Sequence, residues 1–131
     1  MGQPAAKKGD QVIATDTHIV MIPSPGGPVP TPLPHPFSGR LDNGLSADVN
    51  IAGQPAATRD STASNTPAHV PQGGPFQTPP GNKATVFMGS ATVLINGKPA
   101  ARNGDPAMTC NDPADLPVGS VVAAGTVLIG G

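Results

Sequence analysis

A four-residue signature, Pro-Ala-Ala-x, occurs three times in this chain, as Pro4-Ala5-Ala6-Lys7, Pro55-Ala56-Ala57-Thr58 and Pro99-Ala100-Ala101-Arg102. Any fold must therefore place three copies of one short unit in related environments. The first and third copies agree further, Lys7-Lys8-Gly9-Asp10 with Arg102-Asn103-Gly104-Asp105, whereas the second continues as Thr58-Arg59-Asp60-Ser61. Ahead of the second and third copies run Val49-Asn50-Ile51-Ala52-Gly53-Gln54 and Val93-Leu94-Ile95-Asn96-Gly97-Lys98. Alternate β-branched residues followed by Ala-Gly or Asn-Gly predict a short strand and a tight turn. No such strand precedes the first copy. The chain instead ends in Thr126-Val127-Leu128-Ile129-Gly130-Gly131, which matches Thr92 to Gly97, and begins with Gly2-Gln3-Pro4-Ala5-Ala6, which repeats Gly53 to Ala57. The missing strand thus lies at the other terminus. This arrangement predicts a ring of three units, closed by the carboxyl-terminal strand, with the two termini adjacent.

The rest of the chain favours an all-β fold. Proline recurs too often for helix, no 3.6-residue apolar stripe persists, and Asn43-Gly44, Asn96-Gly97 and Asn103-Gly104 mark turns. The segment from Pro23 to Pro36 holds seven prolines in fourteen residues. It is expected to run as an extended, polyproline-like loop over the surface, outside the sheet. With 18 Pro, 17 Gly, three Phe and neither Trp nor Tyr, the chain has poor material for an ordinary core, and low complexity is the competing reading. A net charge of -1 with scattered basic residues argues against nucleic acid as a partner. The amino terminus lacks the apolar run of a secretory signal, and Val118 to Ile129 is too short and Gly-rich to span a bilayer. The expectation is one domain over residues 1–131 without an effector extension, made in the cytoplasm. The single cysteine, Cys110, forms no internal disulfide, so something else must stabilise so small a core.

Metal ligation is the natural candidate. The chain contains three histidines and one cysteine, His18, His35, His69 and Cys110, the number that fills one tetrahedral zinc site. His18 lies eight residues after Asp10, and His69 lies eight after Ser61, the residue equivalent to Asp10. Cys110 follows Asp105 by five. Each unit thus delivers one nitrogen or sulfur donor just beyond its tetrad, and three-fold symmetry brings such side chains together. His35, in the Pro-rich segment of the first unit, is the expected fourth ligand. Imidazole and thiolate suit Zn(II), and four protein ligands leave no open position, which marks a structural ion. Copper, with Met108 as an axial ligand, is the weaker option. A structural zinc contributes on the order of 10 kcal/mol in small metallo-domains, which compensates for a thin core.

The repeated tetrad, the run Val93 to Asp105, Gly9-Asp10 through His18, Cys110 and the closing Gly125 to Gly131 together resemble the PAAR-repeat family. The resemblance implies a small cone of short strands with pseudo-three-fold symmetry and Pro/Gly-rich loops, with zinc held near the apex by three His and one Cys. By position these are His18, His35, His69 and Cys110. It further implies a protein that caps a trimeric β-helical spike of the VgrG or phage tail-spike type, one copy per trimer, in type VI secretion and related contractile injection systems. Such a protein is assembled in the cytoplasm and exported at the tip on contraction. It pierces the target membrane and does not reside in it. Departures from the pattern are the second unit, where Thr58 replaces the basic residue, and the long Pro-rich stretch.

Two alternatives follow from the same residues. A tip of this kind can serve as an adaptor for effector cargo carried on other chains. A small zinc hydrolase would need an open metal position and a carboxylate base. All eight acidic residues are Asp, which excludes the His-Glu-x-x-His class, and Asp16, two residues before His18, is better suited to a turn or to supporting a ligand than to acting as a base. The expectation is a protein without catalytic activity.

Overall fold

The computed structural model describes residues 2–130 and is entirely β-structure and turns over that span. Its strands are β1 (Gln3–Pro4), β2 (Gln11–Ile22), β3 (Val29–Asn43), β4 (Asn50–Ile51), β5 (Gln54–Pro55), β6 (Thr62–Asn65), β7 (Lys83–Val86), β8 (Leu94–Ile95), β9 (Lys98–Pro99), β10 (Pro106–Thr109), β11 (Leu116–Val122) and β12 (Leu128–Ile129). Six of them close an antiparallel barrel in the order β10-β11-β2-β3-β6-β7. The other six form three two-residue ladders, β4 with β5, β8 with β9, and β12 with β1.

Those three ladders are the repeat. In two of them the connecting dipeptide, Ala52-Gly53 or Asn96-Gly97, has both φ angles positive, the conformation of a type I′ hairpin. In the third the connection is absent, because the strands come from opposite ends of the chain: Gln3 pairs with Ile129 and Pro4 with Leu128. The termini meet as the sequence repeat requires.

The tetrads then knit together around the pseudo-axis. Ala6 N–H donates to Ala101 O at 2.9 Å, Ala101 N–H to Ala57 O at 3.0 Å, and Ala57 N–H to Ala6 O at 3.0 Å, a closed triangle of backbone hydrogen bonds. A second triad links Lys8, Arg59 and Asn103 N–H to Pro55, Pro99 and Pro4 O, at 2.8, 2.9 and 2.8 Å. Such close approach of three strands leaves room only for a methyl group, and Ala6, Ala57 and Ala101 have no exposed surface. After each tetrad the chain turns through a side-chain bond to the backbone: Asp10 accepts from Lys7 N–H, Asp105 from Arg102 N–H, and Ser61 from Thr58 N–H. The first and third turns also carry ion pairs, Lys7 to Asp10 at 3.1 Å and Arg102 to Asp105 at 3.0 Å. In the second the pair is neutral, and Ser61 donates its own hydroxyl to Gly44 O at 2.8 Å. The divergence of that unit is therefore a local substitution of chemistry within a conserved geometry.

Two apolar layers stack along the barrel. Beside the hairpins sit Ala5, Ala56 and Ala100 with Ile51, Ile95 and Ile129, one of each per unit. Above them Ala6, Ala57 and Ala101 join Val12, Phe37, Leu41, Val86 and Val121.

The Pro-rich stretch departs from expectation. From Val29 onward it is not a surface loop but the first half of β3, paired with β2 without interruption from Ile22↔Val29 to Gln11↔Arg40. The reason lies in the parity of its prolines. Pro30, Pro32, Pro34 and Pro36 occupy every second position, so the residues between them donate to β2 while the prolines point their missing N–H to the free edge. That edge pairs with β6 only from Gly39 onward, and the prolines leave the remainder unable to recruit another strand. Only the turn at 23–28 is an excursion from the sheet.

Candidate metal centre

Beyond the upper apolar layer the barrel interior becomes polar. On β2 the side chains of Val12, Asp16, His18 and Val20 are buried, so the Asp16-x-His18 spacing puts a carboxylate and an imidazole on one interior face. His35 stands directly across the ladder from Asp16. His69 comes from the loop after β6, and Cys110 immediately follows β10.

The structure brings His18, His69 and Cys110 together with Asp16, one ligand atom from each lying within 4.8 Å of all the others. His35 stands at the border of this group, its ring centroid 5.5 Å from those of both His18 and His69. The rings of His18 and His69 are 4.9 Å apart. All of these side chains are withdrawn from solvent.

Hydrogen bonding determines which lone pairs are available. His35 Nδ1 donates to Leu33 O at 2.9 Å, leaving Nε2 buried without a partner. A backbone carbonyl on one ring nitrogen and a free lone pair on the other is the usual state of a metal-ligating histidine. Both ring nitrogens of His18 are buried without a hydrogen bond, the nearest carboxylate being that of Asp112 at 3.5 Å from Nδ1. His69 Nε2 donates to Asp16 at 2.8 Å, while its Nδ1 faces the Asn65 amide nitrogen at 3.3 Å. Asn65 is oriented by accepting from Ser38 N–H and by donating to Asn82. Cys110 Sγ lies 3.4 Å from Asp16 Oδ2.

Burial depresses the basicity of His18, partly offset by Asp112, and keeps it a neutral donor. The Cys110 thiol is pushed up to about 11, first by burial and then by the Asp16 carboxylate. A buried thiol of this kind becomes a thiolate when a cation arrives to stabilise it. Orphaned imidazole nitrogens in an interior this dry cost free energy unless something binds them. Nitrogen and sulfur donors converging on one point fit a thiophilic divalent ion.

Several supporting residues carried no sequence signal. Phe76, in the loop between β6 and β7, packs its ring 5.8 Å from His18 and 5.3 Å from His35. The loop is fastened to the end of β2 by Met21 N–H to Pro75 O and Gln77 N–H to Ile19 O, both 2.8 Å. Asn111 accepts from Thr17 N–H, and Asp112 from Ile19 N–H, clamping the segment after Cys110 onto β2. Asp16 was detectable, since a residue two before His18 in a strand must share its face.

Comparison with known proteins gives one family. The model described as PAAR motif matches residues 21–110 and, again, 77–131. No curated protein matches the chain. The match spans most of the sequence and includes the tetrads at 55–58 and 99–102, whose hairpins form two of the three repeated ladders. This chain belongs to the PAAR-motif family.

Proposed function

We propose that this protein is the structural tip of a contractile injection apparatus, a single subunit that caps a trimeric β-helical spike of the VgrG or phage tail-spike type. The observation that carries this reading is the ring of three hairpins, two continuous and one assembled from the termini, which gives one chain three similar edges. A cap that imitates three-fold symmetry can meet all three subunits of such a partner with a single copy. The hairpin end also exposes apolar side chains at equivalent positions, Leu94 at 61% and Leu128 at 59%, with Asn50 in the third place. Short strands with free edges there suit main-chain pairing with a spike. The role is mechanical, with assembly in the cytoplasm and export on contraction, and it requires no catalytic step.

Within this reading the polar interior holds one structural Zn(II), bound by His18, His35, His69 and Cys110, which stiffens the end remote from the hairpins. The experiment is co-expression with a candidate trimeric spike. A complex of one copy per trimer, lost when Leu94 and Leu128 are both replaced by Asp, supports the cap. Free monomer beside intact trimer across contractile-system spikes refutes it. Elemental analysis tests the ion independently: about one zinc per chain is expected, and Cys110→Ser should lower both zinc content and thermal stability.

A further inference from the structure

We propose that residues 66–73 form a strap that opens to admit and release the metal, that His69 is the ligand this strap carries in and out, and that Asn82 is the positioning residue that latches it shut. The inference rests on the reading of this interior as a metal site and concerns how that site is closed.

The four donors are held very differently. His18 and His35 project from β2 and β3 within a continuous ladder, and Cys110 directly follows β10. His69 stands in an irregular segment, where among the described residues 67–74 make no backbone–backbone hydrogen bond. Pro67, Ala68 and the residues from Val70 to Gly73 are exposed, and His69 alone in that run turns its side chain inward, where it is 2% exposed. A segment with so little main-chain bonding and burial opens at low cost, independently of the barrel. Its ends are fixed, by Thr66 N–H to Ser38 O at 3.0 Å and Met21 N–H to Pro75 O at 2.8 Å, so it moves as a strap and not as a frayed end.

Asn82 fastens the strap at its middle. Its Oδ1 accepts from His69 N–H at 2.8 Å and from the Asn65 side-chain amide at 3.1 Å, and its main-chain O accepts from Asn65 N–H at 2.8 Å. That same Asn65 amide nitrogen faces His69 Nδ1 at 3.3 Å. The main-chain N–H groups of Asn82 and Lys83 also face the Cys110 sulfur. One residue therefore fixes the backbone under one ligand, orients the group beside its ring and borders a second ligand. Asn82 does so at φ 55°, in the left-handed region that few residues other than Gly and Asn adopt without strain. Solvent already reaches this wall: a cavity of about 300 Å³ lies between the strap and β3, lined by His35, Pro36, Asn65, Pro67, His69 and Val70. Neighbouring sides are covered by Phe76 and by the clamp from Asn111 and Asp112. Withdrawal of His69 joins the cavity to the three remaining donors.

The test follows Zn(II) in the full chain by stopped flow, with release into excess chelator and uptake by the metal-free protein measured separately. Asn82→Gly keeps the backbone conformation and removes the side chain, and losing the two Oδ1 bonds should raise the open population about ten-fold. Release and uptake should then both quicken about ten-fold, with equilibrium affinity within about three-fold of wild type. Faster release with unchanged or slower uptake would mean a distorted site and overturn the proposal, as would unchanged rates. Ile51→Ala, a buried change at the hairpin end, should leave both rates at the wild-type values. Acceleration equal to that of Asn82→Gly would show that exchange follows global unfolding, which refutes the strap. Should Asn82→Gly not fold, hydrogen exchange on the wild type decides. In the metal-free protein the His69 amide should exchange at least about ten-fold faster than the amides of β2 and β3, and slow when Zn(II) is added. A His69 amide as protected as the barrel refutes the strap, whereas a wild type that takes up no Zn(II) sinks the metal reading itself.

Discussion

Ring closure by the two termini can be tested at a single side chain. Ile129 is 6% exposed and occupies in the terminal ladder the place that Ile51 (7%) and Ile95 (8%) hold in the continuous hairpins. Truncating a buried Ile to Ala costs about 2–5 kcal/mol. Unfolding entropy of about 2.1 cal/mol/K per residue over 131 residues converts this to a Tm lowered by roughly 7–18 °C. Ile129→Ala should fall in this range and within about 1 kcal/mol of Ile51→Ala and Ile95→Ala, as equivalent sites with similar burial require. Leu128→Ala, next door but 59% exposed, should stay within about 0.5 kcal/mol of wild type. The assay is calorimetry on proteins matched for metal content. If Ile129→Ala costs less than about 1 kcal/mol while its two counterparts cost the full amount, the terminal strand frays and does not close the ring.

Other expectations concern the loop, the second unit and protons. At Gly74 an added Cβ would lie 1.9 Å from Met21 O, so Gly74→Ala should release the loop that carries Phe76 and speed metal loss to a chelator, with the barrel's circular dichroism retained. Ser61→Asp, which restores the residue of the other two units, should destabilise by about 1–3 kcal/mol in denaturant titration, because the hydroxyl donates to Gly44 O and a carboxylate cannot. Metal uptake must remove the Cys110 proton, whose thiol is near 11 in the metal-free protein. Apparent affinity should therefore rise about ten-fold per pH unit between pH 7 and 9 for that proton, and weaken as pH falls. A pH-independent affinity by competition titration would contradict thiolate ligation. In the metal-free protein the same thiol, raised above its ordinary 9.0, gives stability that is complete below pH 9 and lost as pH climbs towards 11.

What was legible in the sequence was whatever the repeat encoded. The tetrads, the Asn96-Gly97 and Ala52-Gly53 turns and the displaced first strand are local patterns, and each copy vouches for the others. His18, His69 and Cys110 stand out in the sequence because their offsets are measured from the same repeat, and the structure brings them into one cluster with Asp16. The Pro-rich stretch shows the limit of composition without parity: seven prolines suggest a loop, yet prolines on alternate residues fit the free edge of a strand that donates only from the residues between. His35 illustrates the consequence. As a loop residue its position would be arbitrary, whereas as the β3 residue opposite Asp16 it is fixed by the ladder, and its ring is oriented by Leu33 O two residues earlier. The loop bearing Phe76 and the clamp from Asn111 and Asp112 onto β2 involve partners far apart in the chain, with no repeat to align them. These residues lie outside the repeated segments. The three-fold symmetry at the hairpin end thus gives way to an asymmetric interior at the candidate metal centre, where His18 and His35 come from two paired strands, His69 from the loop after β6 and Cys110 from the end of β10.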